Sequence, residues 1–476
     1  MKIKILTTVL AFCLFSISFS QEKSISLFNG KDLKNWLSPV VPSVFTIEDN
    51  AIVSQGKSGA LFFNGKDKQF QNFVLSCDIK TQPEAIAEII FHTDLSKGQE
   101  IPKGYSIRIQ NTYKGANSGE NIKLTGSIDR IRNVYFPFIK DQQWFNLKIS
   151  VLDKEIKVFL NNIQVASYTE PSNPWRPEDL KNRLLSSGTV GIRNIQGKVS
   201  IKNIQLIPQK NELVAQTSID REYDKKITQL HAANFPLIDF HVHLKGGLTL
   251  EDAVIISQNK GINYGIAANC GLRFPVTNNG ELNAYMNSIE NAAIYRGMQA
   301  EGREWMTLFS PDTAARFDYI FTDAMTWTNN KGFRMRLWIK EETEVGDPNM
   351  FMDELVSKIE QILKEPIDIY VNPTFIPEEI AARYNELWTT ERMDRVINAL
   401  VKNDVALEIN ARYKIPGIEF IKKAKQAGVK FSFGTNNLGK DDLNYDYCFE
   451  VLDEVGLTAS DMWMPRKQGT KKIQKL

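Results

Sequence analysis

The hydrophobic pattern of the chain changes once, near residue 209, and this change limits what the chain can fold into. From Ser24 to about Pro208, short apolar segments alternate with polar residues, as in Trp144–Val151. After Phe235, short apolar runs alternate with longer segments of helical periodicity. Period-two alternation predicts strands with one buried face, whereas alternating β and helical segments predict parallel strands with helical crossovers. Two different architectures are therefore expected in succession.

The first architecture is predicted to be an all-β sandwich over residues 21–208, with a hairpin turn at Asn161-Asn162. The second, over residues 235–476, has seven β/α units and is most simply a closed α/β barrel. Residues 209–234 are polar and charge-mixed, and we interpret them as a linker or a bridging helix around Ile219–Leu230. Their composition predicts that proteolysis there would leave two folded pieces. The basic tail from Arg466 to Leu476 is expected to be solvated.

The first twenty residues have the layout of a secretory signal peptide. Lys2 and Lys4 precede an apolar run from Ile5 to Phe19, and small residues stand before Gln21. The expected mature protein is exported to the periplasm or the extracellular space and has no integral membrane segment. Because these two lysines are the only charged residues removed, 58 basic and 56 acidic residues become 56 of each. A net charge of zero predicts no general attraction to nucleic acid.

Polar residues stand at the ends of the predicted barrel strands. They are His241, His243, Asn269, Glu301, Asp323, Asn372, Glu408, Asn410 and Asn436. In a parallel barrel the carboxyl ends of the strands meet on one face, where active sites collect. Any one of these residues is more easily explained as a strand or helix cap. The complete ring is better explained as a site, with Glu408 and Asp323 as catalytic carboxylates and Asn372 and Asn436 as substrate-binding amides.

His241 and His243 are the most specific part of this ring. Residues i and i+2 of a strand point the same way, so the two imidazoles can bind one ion. Two neutral imidazoles leave the charge of a cation uncompensated, so a carboxylate from Glu301, Asp323 or Glu408 is expected to join them. The sequence does not distinguish Zn, Mn and Ca. The alternative is a packed or capping role for each histidine.

Asp239-Phe-His241-Val-His243 on the first strand of a seven-unit barrel resembles the polymerase and histidinol phosphatase (PHP) superfamily. The resemblance covers about residues 235–460 and implies clustered metals and phosphoester hydrolysis. It also makes Glu301 the leading metal ligand, since this residue falls where that family places a bridging carboxylate. Where the family has further histidines, this chain has Asn269-Cys270, Asn372-Pro373 and Asn436-Asn437.

Residues 25–208 resemble the 3-keto-disaccharide hydrolase domain, a concanavalin-like jelly-roll sandwich. The opening Leu27-Phe-Asn-Gly-Lys-Asp-Leu-Lys-Asn-Trp36 carries the resemblance, and Gly104-Tyr105-Ser106-Ile-Arg108 corresponds to a Gly-Tyr-Glu-x-Gln stretch of the family. The resemblance implies a carbohydrate substrate. His92, Arg108, Gln110 and Asn146 are candidates to line a sugar-binding face, and the alternative for each is a solvated strand residue.

Three functions remain open from the sequence. The first is an exported hydrolase or lyase of glycosides, including 3-keto-glycosides, in which a base removes the proton made acidic by the ketone. The second is a metal-dependent hydrolase of phosphoesters, amides or lactones that uses the barrel. The third is a secreted sugar-binding protein without catalysis.

Overall fold

The computed structural model describes residues 23–39, 43–54, 56–94, 103–112, 122–210 and 219–476. The predicted signal peptide, residues 1–20, lies outside these ranges. Within them, no helix has the length and apolar character needed to span a membrane.

The amino-terminal part is a β-sandwich of two antiparallel sheets. One sheet has the strand order β11-β10-β9-β6-β13-β4-β3 with β1 beside β13, and the other has the order β2-β5-β12-β7-β8. The strands are β1 (Ile25–Ser26), β2 (Trp36–Leu37), β3 (Phe45–Glu48), β4 (Ala51–Ser54), β5 (Gly59–Phe63), β6 (Phe73–Thr81), β7 (Ile86–Thr93), β8 (Tyr105–Ile109), β9 (Phe145–Leu152), β10 (Glu155–Leu160), β11 (Ile163–Thr169), β12 (Thr189–Gln196) and β13 (Val199–Pro208).

The alternation seen in the sequence builds the interior of the sandwich. Along β9, every second residue from Phe145 to Val151 is buried and the residues between them are only half-buried. The predicted turn at Asn161 and Asn162 is confirmed, since both residues have positive φ and join β10 to β11. At the start of the sandwich, the indole of Trp36 donates to the carbonyl of Leu27 over 2.9 Å, which closes the opening motif on itself.

The carboxy-terminal part contains a closed barrel of parallel strands, in the order β14-β15-β16-β17-β20-β21-β22. Its strands are β14 (Ile238–Val242), β15 (Asn263–Gly271), β16 (Tyr295–Glu301), β17 (Tyr319–Thr322), β20 (Ile369–Tyr370), β21 (Ala406–Asn410) and β22 (Phe431–Gly434). Each of the seven predicted barrel strands is present. A short antiparallel hairpin, β18 (Thr326–Thr328) and β19 (Arg334–Arg336), follows β17 and was not expected from the sequence.

Helices connect the barrel strands. They are α1 (Arg221–Ala232), which precedes the barrel, α2 (Leu250–Lys260), α3 (Asn279–Ile289), α4 (Trp305–Leu308), α5 (Pro311–Ala314), α6 (Pro348–Ile362), α7 (Glu378–Ala381), α8 (Tyr384–Leu387), α9 (Thr390–Asn403), α10 (Ile418–Gln426) and α11 (Asp446–Val455). In α9, Met393, Val396, Ile397 and Leu400 form a buried stripe with helical spacing. Thr389 caps its amino end by accepting the N–H of Arg392.

The sandwich packs against the barrel where the barrel strands begin. The Tyr135 N–H donates to Asn263 Oδ1 over 3.1 Å, and its hydroxyl donates to the carbonyl of Phe235 over 2.6 Å. The hydroxyl of Tyr295 donates to the Tyr135 carbonyl over 2.5 Å. Asn263 and Tyr295 are the first residues of β15 and β16. The sandwich therefore covers the amino ends of the strands and leaves their carboxyl ends uncovered by it.

Helix α1 belongs to this junction. Its Asp224 forms a buried ion pair with Arg132 of the sandwich, and its His231 lies against Tyr135 with ring centroids 6.1 Å apart. One hydrophobic cluster contains residues from both the sandwich core and the barrel interior. The two parts thus share buried apolar contacts, and their separation by proteolysis stays a prediction. The expectation of a solvated tail holds for residues 467–470 and 474–476, which are exposed, but is wrong for Lys471, whose ammonium is buried and donates to the carbonyls of Ala315 and Phe317.

Candidate functional site

The carboxyl ends of the barrel strands bring together five ionisable side chains that the sequence singled out. They are His241, His243, Glu301, Asp323 and Glu408, and we call them the crown site. Each is at most 4% exposed. Since the sandwich lies at the other end of the strands, the crown site is built by the barrel alone.

Glu408 orients His241. The His241 Nδ1 lies 2.6 Å from Glu408 Oε1. The other carboxylate oxygen of Glu408 accepts the backbone N–H of Asn372 over 2.7 Å and the amide of Asn410 over 2.9 Å. Glu408 therefore acts as an acceptor on both oxygens, which places the proton of His241 on Nδ1. Its Nε2 then carries a lone pair, and this atom has no hydrogen-bond partner among the residues that the structure describes.

His243 has the same tautomer for a different reason. Its Nδ1 lies 2.9 Å from the carbonyl oxygen of Ala267, which can only accept a hydrogen bond. Among the described residues, the Nε2 of His243 is also buried without a hydrogen-bond partner, and the Gln299 side chain lies close enough to the ring to favour its protonated form slightly. Burial, with the neighbouring His241 imidazole, lowers the pKa of His243 well below its ordinary value. The two rings lie 5.0 Å apart between centroids, so the structure confirms that they are adjacent.

Glu301 and Asp323 form a second, acidic half of the crown site. Glu301 Oε1 accepts the amide of Asn269 over 2.9 Å, and its Oε2 is buried without a partner. Burial and the neighbouring Asp323 raise the pKa of Glu301 above its ordinary range. Asp323 accepts the N–H of Met325 and the amide of Asn372, each over 2.9 Å. Glu301 is therefore the acid of this pair with a free oxygen.

The predicted substrate-binding amides lie in the crown site but bond to protein groups. The Asn372 side chain donates to Asp323, and its oxygen accepts from Asn410 and Asn436, each over 3.0 Å. These amides fix the carboxylates in place. Asp239, the first residue of the Asp-x-His-x-His motif, accepts hydrogen bonds from the backbone N–H and the hydroxyl of Thr435 and is also structural.

Gly434 lies against the crown site, and the sequence did not indicate its role. A Cβ added at Gly434 would lie 2.0 Å from Glu408 Oε1 and 2.8 Å from His241 Cβ. Only a residue without a side chain lets β22 pass this close to the His241–Glu408 pair.

The fit of a divalent metal to the crown site is mixed. His241 and His243 have oriented rings with free Nε2 atoms, as metal-binding histidines have when a second group holds Nδ1. Among the residues that the structure describes, however, no group of three or more His, Cys, Asp or Glu side chains is arranged to hold an ion. Glu301 is thus not placed as the third ligand here. The metal stays a prediction, and we derive no chemical step through it.

The candidates in the sandwich are not brought to one place. Arg108 lies on β8 of one sheet, while Asn146 lies on β9 of the other and donates to Ser76 and Asp78. The Nε2 of His92 meets the Gln71 carbonyl over 2.8 Å, and its Nδ1 accepts the Ser186 N–H over 3.2 Å, so both nitrogens are used.

Arg108 and Gln110 sit in a buried polar layer on one face of the sandwich. The Arg108 guanidinium donates twice to Gln110 Oε1 and lies 3.6 Å from Glu88. On the same face, Asp129 pairs with Lys123 and Arg183. Most of these groups bond to one another, in contrast to the imidazole Nε2 atoms of the crown site.

Comparisons with known proteins concern the sandwich. A family model described as the 3-keto-alpha-glucoside-1,2-lyase-like domain matches residues 23–207. No curated protein matches the chain. Two solved structures, assigned by name to the glycosyl hydrolases of Parabacteroides distasonis ATCC 8503, are similar at 19% and 20% identity. Each is covered by 39% of this chain, over 94% and 100% of its own length, with TM-scores of 0.36 and 0.33. The carbohydrate-binding module CBM66 of Bacillus subtilis is similar at 11% identity, with a TM-score of 0.27.

Proposed function

We propose that the protein is an exported carbohydrate-active enzyme that cleaves keto-glycosides, with its reaction centre at the crown site of the barrel. The observation that carries the proposal is that three of the buried side-chain atoms without a hydrogen-bond partner among the described residues belong to the crown site: His241 Nε2, His243 Nε2 and Glu301 Oε2. An unsatisfied buried polar atom costs about 1–3 kcal/mol. Three such atoms on the face where barrel enzymes hold their substrates are best explained by a reactant that bonds to them.

The geometry supports proton abstraction by His241. Its Nε2 carries a lone pair, and Glu408 holds the ring through Nδ1 and stabilises the imidazolium that forms when Nε2 takes a proton. In a 3-keto-glycoside, the carbonyl at C3 makes the proton on C2 acidic. His241 removes this proton, and the C2–H electron pair forms an enolate with the C3 oxygen.

The remaining steps balance without an outside oxidant. The enolate reforms the C3 carbonyl as a C1–C2 double bond develops, and the C1–O bond to the leaving group breaks. The imidazolium returns its proton to the departing oxygen. Addition of water across the double bond then completes a net hydrolysis.

Glu301 supplies the acidic partner in this scheme. Its raised pKa favours a protonated carboxyl group, and its Oε2 has no protein acceptor to bond to. A neutral carboxyl group in a buried site can donate a hydrogen bond to an enolate oxygen as charge develops there. Asn269 holds the other oxygen and so fixes the direction of the donor.

The sandwich supports the carbohydrate part of the proposal. Its match to a 3-keto-glucoside lyase-like family suggests the substrate class, and export would place the enzyme where glycans are degraded. Among the described residues, the polar groups on the face of the sandwich already form ion pairs with one another, so none of them is free to act as a base. We therefore assign the sandwich to sugar recognition and not to the bond-breaking step.

A second candidate is metal-assisted hydrolysis of a phosphoester or amide at the same site. The hydrogen bonds at Nδ1 of His241 and His243 favour this candidate. They fix both rings and leave the Nε2 lone pair of each ring available to bind a metal. Metal content of the purified protein tests it. If a metal is bound, wild type should contain it stoichiometrically, while His241→Ala and His243→Ala should each lose most of it. Equal and negligible metal in all three proteins after reconstitution would exclude this candidate.

Cleavage assays on the full chain test the main proposal. A p-nitrophenyl 3-keto-glucoside should release p-nitrophenol, whereas p-nitrophenyl glucoside and bis-p-nitrophenyl phosphate should not. His241→Asn should lower kcat about 100-fold or more, as expected for loss of a general base. Glu301→Gln should lower kcat with little change in KM. Cys270→Ser is a control, because its buried thiol donates to the Ala268 carbonyl beside the crown without touching the proposed base.

Three outcomes would contradict the proposal. If the His241→Asn protein retained turnover, the active site would lie in the sandwich and not at the crown site. Sugar binding without turnover by any keto-glycoside would favour the sugar-binding protein. Turnover of the phosphodiester alone would favour the metal-dependent hydrolase.

A further inference from the structure

A cleft beside the crown site has a lining suited to a charged sugar. It has a volume of about 230 Å³ and lies between the loop after β15 and the β18–β19 hairpin. Its lining residues are Leu272, Arg273, Phe274, Phe333, Arg334, Arg336 and Glu342. The lining thus carries three positive charges and one negative charge, a net charge of +2.

The cleft begins next to the reactive groups. Gly271, the last residue of β15, pairs with Glu301 in the barrel register, and Arg273 is two residues further on. On the other side, a Cβ on Gly302 would lie 2.9 Å from Nη2 of Arg334, so this guanidinium rests against the residue that follows Glu301. A molecule bound in the cleft would therefore have its neighbouring part at the crown site.

The charges of the cleft are only partly neutralised. Arg336 forms a double hydrogen bond with Glu342, and Arg334 pairs with Glu304. The Nη2 of Arg334 is buried without a hydrogen-bond partner. In the described part of the chain, the exposed side chain of Arg273 makes no hydrogen bond and no ion pair within 4.0 Å, but its charge acts on Glu342, whose pKa is lowered mainly by Arg336 and further by Arg273. The backbone of Arg273 has a φ of 67°, which is uncommon for a residue with a side chain.

Exposed apolar side chains accompany these arginines. Phe333 is 43% exposed and Leu272 is 42% exposed, and both line the cleft. Trp338, 41% exposed, lies with its ring centroid 6.0 Å from the guanidinium of Arg336. Apolar and aromatic surface of this kind covers the C–H face of a sugar ring, while guanidinium groups bind planar or tetrahedral anions through paired hydrogen bonds.

We propose that this cleft binds the anionic substituent of an acidic sugar, a carboxylate or a sulfate, and that the substrates of the enzyme are acidic glycosides. The substrate part rests on the proposed function. Arg273 supplies an exposed charge that shares Glu342 with Arg336. Arg334 and Arg336 supply further donors, and Phe333 supplies the stacking surface. Two exposed cations at the same end of the barrel, Lys245 and Arg412, add to the attraction for an acidic sugar.

Binding measurements on the full chain test this inference without requiring turnover. We would titrate the protein by calorimetry and by saturation-transfer NMR with D-glucuronate, glucose 6-sulfate, glucose and inorganic sulfate. At least one acidic sugar should bind at least about tenfold more tightly than glucose and than sulfate alone, and the preferred one identifies the anion. Arg273→Gln should weaken this binding about tenfold, the effect of losing one charge-assisted hydrogen bond. Phe333→Ala should weaken the binding of the acidic sugar but not the binding of free sulfate.

The controls separate this site from the reaction centre. Arg316→Gln removes an exposed arginine whose guanidinium, among the described residues, donates to Asn283 and Asn287, and it should leave binding unchanged. His241→Asn should also leave binding unchanged while abolishing turnover. Equal affinity for glucose and glucuronate, or an Arg273→Gln protein that binds as wild type does, would overturn the inference. Turnover of a neutral keto-glycoside without binding of acidic sugars would overturn it and leave the proposed function intact.

Discussion

Acidification should destabilise the protein through His231 at the junction between the sandwich and the barrel. His231 is completely buried. Its Nδ1 accepts the backbone N–H of Asn133 over 3.2 Å, and its Nε2 donates to the Gly261 carbonyl over 2.8 Å. This pattern requires a neutral ring. Burial and the nearby Arg132 guanidinium lower the pKa of His231 to about 3.

Proton linkage gives the direction and the magnitude of the change in the free energy of unfolding with pH. The unfolded chain binds a proton at His231 below about pH 6.5, whereas the folded chain does so only below about pH 3. Stability is therefore complete above pH 6.5 and is lost as the pH falls. The loss is about 1.4 kcal/mol for each pH unit, so it reaches about 2.5 kcal/mol at pH 4.5. This is a large share of the stability of an ordinary domain.

The assay compares wild type with His231→Gln, a neutral residue that can also accept and donate. Urea unfolding at several pH values between 4.5 and 7.5 gives the free energy of unfolding for each protein. The difference between the two proteins should shrink by about 2.5 kcal/mol as the pH falls from 7.5 to 4.5. Other titrating groups are common to both proteins and cancel in this difference.

A direct measurement complements unfolding, because the chain has only four histidines. In protein labelled with ¹³C-histidine, the His231 signal should not titrate between pH 5 and 8. His92 provides an internal comparison, since burial lowers its pKa to about 4. A His231 signal that titrates near pH 6.5, or a difference in unfolding free energy that does not change with pH, would refute the reasoning.

Two further substitutions test the junction and the crown site. Tyr135→Phe removes the donor to a buried carbonyl and should lower the free energy of unfolding by about 1–3 kcal/mol in urea, whereas Tyr285→Phe, whose hydroxyl has no partner, should change it little. Equal effects of the two would contradict the assigned role of the junction. Gly434→Ala places a Cβ against Glu408 and should cost about 1–3 kcal/mol in stability and most of the activity. Gly417→Ala, where the Cβ has only ordinary contacts, is its matched control, and full activity of the Gly434 variant would contradict the crown geometry.

The sequence predicted the elements of the fold well because each carries its own periodicity. The period-two pattern of β9 and the helical stripe of α9 report local burial directly. The strand-end rule also located the crown site, because the carboxyl ends of parallel strands meet on one face whatever the side chains are. Adjacent positions for His241 and His243 follow from the same geometry.

What the sequence did not show depends on contacts between distant segments. The pairing of Glu408 with His241 and the use of Asn372 and Asn436 as internal supports depend on how the strands are aligned in the barrel. The junction was missed because Tyr135 lies far from Asn263 in sequence. The β18–β19 hairpin was missed because three-residue strands have too few positions to show alternation. The cleft lined by Arg273, Arg334 and Arg336 was missed for the same reason, because this hairpin forms one of its sides.

The junction also affects how such a protein can change in evolution. Phe240, Tyr295, Tyr319 and Trp463 of the barrel share one hydrophobic cluster with the core of the sandwich. A gene fragment that encoded the barrel alone would leave the amino ends of its strands, where Tyr295 contacts Tyr135 and Phe136, without the sandwich that covers them, and newly exposed apolar surface promotes aggregation. We therefore expect recombination to transfer the two halves together. The loops around the crown site lie at the far end of the strands, so their sequences could change without disturbing the junction between the sandwich and the barrel.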